Sequence, residues 1–256
     1  MITVKTAHTA LKAAITCGVK SFIYTSSIAI WATGELAAID ESKLWDSVAE
    51  TEPNQRYGIL KKEATLLVQS AQGRGGMSTT IMIPHVVTGP RDGLYLRPII
   101  ETGINVRALP IGSPHGFTYV ISAAEAFSAV AEKAIGTASD LQDVSGKAFL
   151  LYDFSASGLW NSECVERHLK APPKNWSAIF AALVPIFSFV DWWTRGQTSH
   201  PLMMISRQSL FYAISCFKLP HPALSKVSKW QPWSEEKVDA HFGNYLKEAA
   251  KKGKLV

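Results

Sequence analysis

The stretch Ser21 to Lys61 constrains this chain more than any other: it reads SFIYTSS, and thirty residues after Ser27 comes YGILK, which carries Tyr57 and Lys61. Phe22, Ile23 and Tyr24 lead into Thr25, Ser26 and Ser27, the pattern of a buried parallel strand whose carboxyl end opens into a polar site. In α/β sheets that end is where ligands bind. Tyr57 and Lys61 stand four apart in a segment whose Leu60, Ala64, Leu67 and Val68 have helical spacing. A helix from Tyr57 to Ser70 therefore presents both on one face.

A phenol with an ordinary pKa near ~10 is a poor base at neutral pH, but a neighbouring ammonium stabilises its phenolate. Such a pair can exchange a proton with an alcohol or a carbonyl, and a serine at a strand end can hold the same oxygen in line. The spacing alone is not diagnostic, because a surface lysine beside a half-buried tyrosine repeats it without chemistry. Ser27, Tyr57 and Lys61 are the candidate catalytic residues.

The order of GVKSFIYTSS, Tyr57, IPHVVTGPRD and FTYVISAAEA resembles the 3β-hydroxysteroid dehydrogenase/isomerase family, within the extended short-chain dehydrogenase/reductases. The resemblance runs from about Thr3 to Gly146 and more loosely to Pro232. It implies an α/β fold, a Rossmann-like parallel sheet with a smaller substrate-binding C-terminal lobe, divided into residues 1–154 and 155–256. It further implies an oxidoreductase that uses NAD or NADP to oxidise a secondary alcohol of a sterol, steroid or terpenoid-like substrate. Tyr57 would act as acid/base, Lys61 would support the phenolate and bond the cofactor ribose, and Ser27 would orient the substrate oxygen. Pro84, His85 and Val86 would line the nicotinamide side through backbone contacts. A sterol 4-carboxylate dehydrogenase that loses carbon dioxide after oxidation and a tailoring enzyme of secondary metabolism both fit.

The family carries a strand, a G-x-x-G-x-x-G turn and a ribose-selecting residue ahead of the helix that Thr3 to Cys17 forms here, so the expected sheet is N-terminally truncated. The glycine run Gly73, Gly75, Gly76 follows one predicted helix and precedes a strand, so it cannot aim a helix N-terminus at a pyrophosphate. Three positions depart from the family pattern: Thr3 and Ser122 stand where asparagine is usual, and Ile83 where arginine is usual. Two alternatives stay open. One is a truncated, non-catalytic relative or fragment that binds an apolar ligand or associates with a partner or a second copy across an exposed strand edge. The other is an NAD-dependent epimerase or dehydratase of the same superfamily, with the same Ser, Tyr and Lys.

Beyond this stretch, periodicity gives a coarse α/β order. Val4, Ala7, Leu11, Ala14 and Ile15 form one helical stripe that Gly18 ends. Thr79 to Gly89 reads as one apolar strand, with His85 as a wall residue in preference to an acid or base. Gly89 to Asp92 is a turn, Leu96 to Thr102 starts a helix, Phe117 to Val120 is a short strand, Ser122 to Ile135 a helix and Lys147 to Tyr152 the last strand. Trp31 to Arg56, with Asp40, Glu41, Glu50, Glu52 and Pro53, reads as a loop over the site.

The C-terminal hundred residues are less regular. Ile179 to Val190 is an apolar run of twelve residues, too short for the ~20 that a membrane span needs. Trp192 and Trp193 after it suit either a peripheral bilayer contact or a helix over an apolar pocket. Ser234 caps a last helix that ends in Lys247, Lys251, Lys252 and Lys254, a solvated tail or a contact for anionic headgroups.

At 47% hydrophobic, 18% charged and net +5 the composition is that of an ordinary globular chain, with no module for nucleic acid. Cys17, Cys164 and Cys216 are widely spaced, which indicates neither a metal site nor a disulfide framework and suits a reducing compartment. Cys17 reads as a small buried apolar residue. Met1 is not followed by a secretory leader, so the expected place is the cytoplasm or the cytoplasmic face of the endoplasmic reticulum.

Overall fold

A computed structural model describes residues 2–31, 37–38, 56–92, 104–105, 115–156, 160–169, 174–175, 217–219 and 222–252. Apart from Ala37 and Ala38, the expected loop after Trp31 lies outside these residues, as do the helix at Leu96 to Thr102 and the run from Ile179 to Trp193.

Helix α1 (Ile2–Thr16) opens the chain and leads into strand β1 (Ser21–Thr25). A 3-10 turn at Ile28–Trp31 and a two-residue strand, β2 (Ala37–Ala38), follow. Helix α2 (Arg56–Ser70) leads through a 3-10 turn at Arg74–Gly76 into β3 (Ser78–Pro84), which is buried throughout. The predicted stripe of α1 holds: Ala7, Leu11 and Ala14 are buried. Leu11 and Ala14 meet Val68 of α2, Ala71 just beyond it, and Ile81 and Ile83 from β3 in one apolar cluster.

Cys17 corrects the sequence reading, since it is exposed. The helix turns its Leu11 and Ala14 side inward, and Cys17 falls in the turn just beyond Thr16, directed to solvent. Lys247, Lys251 and Lys252 are exposed near the other end of the chain.

The expected single strand from Thr79 to Gly89 is two strands in two sheets. After Pro84 comes β4 (Val86–Thr88), and His85 between them belongs to neither. Its N–H donates to the Leu151 carbonyl at 2.9 Å and to Thr118 Oγ1 at 3.1 Å. Pro84 has no N–H to continue a ladder, so the pairing changes partner here. At the turn beyond β4, Gly89 has φ 136, and a side chain there would also meet Val120.

Next come β5 (Ile104–Asn105), β6 (His115–Tyr119), α3 (Val120–Ile135), α4 (Ala138–Val144), β7 (Ala148–Leu151) and β8 (Phe154–Ala156). Helix α4 has a full capping box: Thr137 accepts from the Asp140 N–H and Asp140 from the Thr137 N–H. Lys133 of α3 bonds both Asp140 and Asp143 and fastens the two helices side by side. Helix α5 (Trp160–Leu169), β9 (Lys174–Asn175), β10 (Phe217–Lys218), α6 (Leu224–Val227) and α7 (Glu235–Lys251) complete the described elements.

The main sheet has the order β1-β3-β7, all parallel, with Ser21 opposite Ser78 and Ile81 opposite Ala148. Parallel neighbours separated by helices are the signature of an α/β fold. A second sheet, β4-β6-β8, is parallel between its first two strands and antiparallel between its last two. Helices α5 and α7 cover it through Trp160, Cys164, Val165, Val238, Phe242 and Leu246. β8 spans the boundary read at residues 154 and 155 and joins the C-terminal helices to the rest. Among the described residues no helix is long and apolar enough to cross a membrane.

Candidate active site

Parallel pairing leaves the carboxyl end of β1 at the rim of the sheet, and α2 returns across it. Lys61, in the second turn of α2, donates from Nζ to the Thr25 carbonyl at 3.1 Å. Its ammonium also lies 5.5 Å from the centre of the Tyr24 ring, a cation over an aromatic face. Burial holds the Lys61 pKa below the ordinary lysine value, because a half-desolvated ammonium loses hydration. Tyr57 is one turn earlier on the same helix and its side chain is 51% exposed, so its hydroxyl is open to an incoming molecule.

Tyr24 was not singled out from the sequence, yet its ring faces the Lys61 ammonium. Burial raises its pKa, and the nearby Tyr57 adds to the shift. Its hydroxyl is buried without a partner among the described residues. Strand alternation was the available signal, since Tyr24 shares its face with Phe22, and both pack on the cluster beneath α1 and α2.

Ser26 and Ser27 have separate tasks. Ser26 Oγ is 2.7 Å from Thr65 Oγ1, Thr65 donates to the Lys61 carbonyl at 2.7 Å, and the Ser26 N–H donates to Met82 O at 2.8 Å. This buried link ties α2 to the strand end and fixes the turn that carries Lys61. Ser27 is partly exposed, and its Oγ accepts the Ala29 N–H at 3.3 Å. A hydroxyl that accepts a long bond keeps its own proton for another acceptor.

The structure thus brings Lys61 onto the end of β1 at Thr25, two residues before Ser27, and sets Tyr57 one turn before Lys61 on α2. Among the described residues no hydrogen bond joins the three to one another. An ammonium, a phenol and a hydroxyl stand on the first two turns of α2 and just past the end of β1. Neither sequence nor described structure supplies a glycine turn to hold a pyrophosphate.

Pro84, His85 and Val86 form the neighbouring strand end. His85 is buried, and its Nδ1 accepts the Val86 N–H at 2.8 Å. The N–H groups of His85 and Val86 both bond within the chain, so this corner offers packing surface and few donors. A side chain on Gly116 would press on the His85 ring and on Leu219, which marks His85 as a wall residue.

A buried carboxylate fixes the floor behind this corner. Asp153 accepts from Ser122 Oγ at 2.5 Å, from the Tyr119 N–H at 2.6 Å and from the Trp233 N–H at 2.8 Å. Trp230 Nε1 donates to the Ser122 carbonyl at 3.0 Å, and Trp233 Nε1 to Glu125 at 2.8 Å. Ser122, where the resemblance led one to look for an asparagine, therefore has a structural role. The same contacts bind the Trp230 to Trp233 segment to α3. Ser234 then caps α7 by accepting the Lys237 N–H at 3.3 Å.

Residues 1–163 match the model of the 3-beta hydroxysteroid dehydrogenase/isomerase family. Two Arabidopsis thaliana relatives are similar in sequence. The 3beta-hydroxysteroid-dehydrogenase/decarboxylase isoform 2 is 26% identical over 165 residues, covering 62% of this chain and 28% of the relative. Isoform 1 is 27% identical over 157 residues, covering 59% and 35%. The chain spans about a third of the length of these curated relatives.

Among solved structures, dTDP-glucose 4,6-dehydratase DesIV from Streptomyces venezuelae, with NAD and TYD bound, superposes with TM-score 0.64 at 13% identity, covering 97% of this chain and 66% of that one. A UDP-galactose 4-epimerase superposes with TM-score 0.61 at 14% identity, covering 96% and 69%. These likenesses show the Rossmann-type α/β fold.

Proposed function

Because this chain belongs to the 3-beta hydroxysteroid dehydrogenase/isomerase family, we propose that it supplies the catalytic corner of an NAD(P)-dependent oxidation of a secondary alcohol on a sterol, steroid or terpenoid-like substrate. The observation that supports this most is the Lys61 ammonium held on the Thr25 carbonyl, with Tyr57 exposed one turn before it and Ser27 two residues after Thr25. In this reading the Tyr57 phenolate takes the hydroxyl proton of the substrate. Ser27 donates to the same oxygen and holds it, and the Lys61 charge stabilises the phenolate and meets the ribose hydroxyls.

When bound, the nicotinamide accepts the hydride that leaves the carbinol carbon. A substrate with a carboxyl beside the new ketone becomes a β-keto acid, which loses carbon dioxide readily. That chemistry is consistent with the printed names of the two Arabidopsis thaliana relatives. The test is incubation of the full chain with NAD or NADP and a 3β-hydroxysterol, followed at the reduced-nicotinamide absorbance. Turnover with the 3β-alcohol and none with its 3-ketone supports the reading, and no turnover with any sterol alcohol contradicts it.

A second reading rests on the sheet edge. Among the described residues β1 pairs only with β3, and its residues are partly exposed, so a further strand could add to it. In that reading the chain associates with a second copy or a partner through β1, and the sterol assay stays silent.

A further inference from the structure

The cluster beneath α5 and α7 contains a group of residues that the catalytic corner does not use. Cys164 and His168 stand four apart on α5, so they share a face. Asp239 stands opposite on α7. One ligand atom from each, the sulfur, a ring nitrogen and a carboxylate oxygen, lie within 4.8 Å of one another.

Cys164 is fully buried among Phe117, Trp160 and Phe242. The His168 and Asp239 side chains are 15% and 24% exposed, and His168 Nε2 is 2.9 Å from Asp239 Oδ2. A side chain on Gly243 would run into the His168 ring. The bare backbone of α7 at Gly243 therefore leaves room for the Cε1 edge of the imidazole, and Nε2 reaches Asp239.

We propose that Cys164, His168 and Asp239 form a Zn2+ site that pins α5 to α7, with water as the fourth ligand. Zinc bonds of about 2.0 to 2.3 Å in a tetrahedron place ligand atoms roughly 3.3 to 3.7 Å apart. The cluster's ligand atoms, all within 4.8 Å of one another, have to close by about an ångström at most to reach that spacing. A thiolate, an imidazole and a carboxylate form a mixed donor set that suits zinc and disfavours magnesium and calcium. Arg167 Nη2 is 3.0 Å from Asp239 Oδ1, and its side chain is 52% exposed, so it can swing into solvent when the cation arrives. The Cys164 thiol reaches the same Asp239 and Arg167 groups, so the four side chains meet at one point between the helices, where a zinc ion would take the place of Arg167. Cysteine spacing could not reveal the site, because two of its ligands are not cysteines and one lies seventy-five residues further along the chain.

The experiment is titration of the metal-stripped full chain with zinc chloride, with bound metal counted, and then with cobalt(II) chloride as a spectroscopic stand-in. The expected result is one tightly held equivalent and a thiolate-to-cobalt absorption in the near ultraviolet. Binding is lost in Cys164→Ser and weakened at least tenfold in His168→Gln. Zinc also raises the melting temperature of the metal-stripped parent chain, which decides the matter even if a variant fails to fold. No retained metal at micromolar zinc, undiminished binding in Cys164→Ser or an unchanged melting temperature of the parent chain with zinc would overturn the proposal.

Discussion

Under the proposed function, Tyr57→Phe is expected to lower the rate of sterol-alcohol oxidation by about 10²- to 10⁴-fold, the usual contribution of a positioned proton-transfer group. The loss is expected in kcat, with cofactor binding changed little. The phenol oxygen exchanges the proton, whereas Lys61 carries the ribose contact in this reading. The substitution leaves the fold alone, because the Tyr57 side chain is 51% exposed and sits in the first turn of α2. Thermal melting of the variant should therefore overlay that of the parent. A variant with full turnover would mean that another group moves the proton, and the neighbouring Tyr24 would be the next residue to change.

Phe242→Ala destabilises the chain by about 3 to 5 kcal/mol, the range for truncating a buried phenylalanine. Phe242 is wholly buried on α7. Its ring centre is 6.2 Å from that of Tyr119, 6.3 Å from Trp160 and 6.3 Å from Tyr245. Removing it opens a cavity where β6, α5 and α7 meet, and rigid aromatic neighbours close such a cavity poorly. Urea unfolding followed by tryptophan fluorescence measures the change. A loss below about 1 kcal/mol would mean that α7 packs loosely on the second sheet, contrary to the burial of Val238 and Leu246 beside it.

The corner around Lys61 was legible because its signals are local. The apolar run of β1, the stripe of α1 and the four-residue step from Tyr57 to Lys61 each follow from a period of two or 3.6. The break at His85 was not legible: Thr79 to Gly89 stays apolar throughout, and only the bonds to Leu151 and Thr118 reveal the change of sheet. The Asp153 network escaped for the same reason, since its partners are 31, 34 and 80 residues away in sequence. Cys17 shows the limit of residue preference. Cysteine is usually buried, but its place after the last turn of α1 directs it outward.

Binding of the nicotinamide cofactor tests the central claim most directly, because the proposed chemistry at Tyr57 and Lys61 depends on it. NADH and NADPH would each be titrated into the 256-residue chain, with energy transfer from its eight tryptophans to the reduced nicotinamide as the signal. Saturable binding of either in the micromolar range, weakened at least tenfold in Lys61→Ala, is the predicted result. No transfer up to millimolar cofactor would contradict the account and leave association through β1 as the better reading.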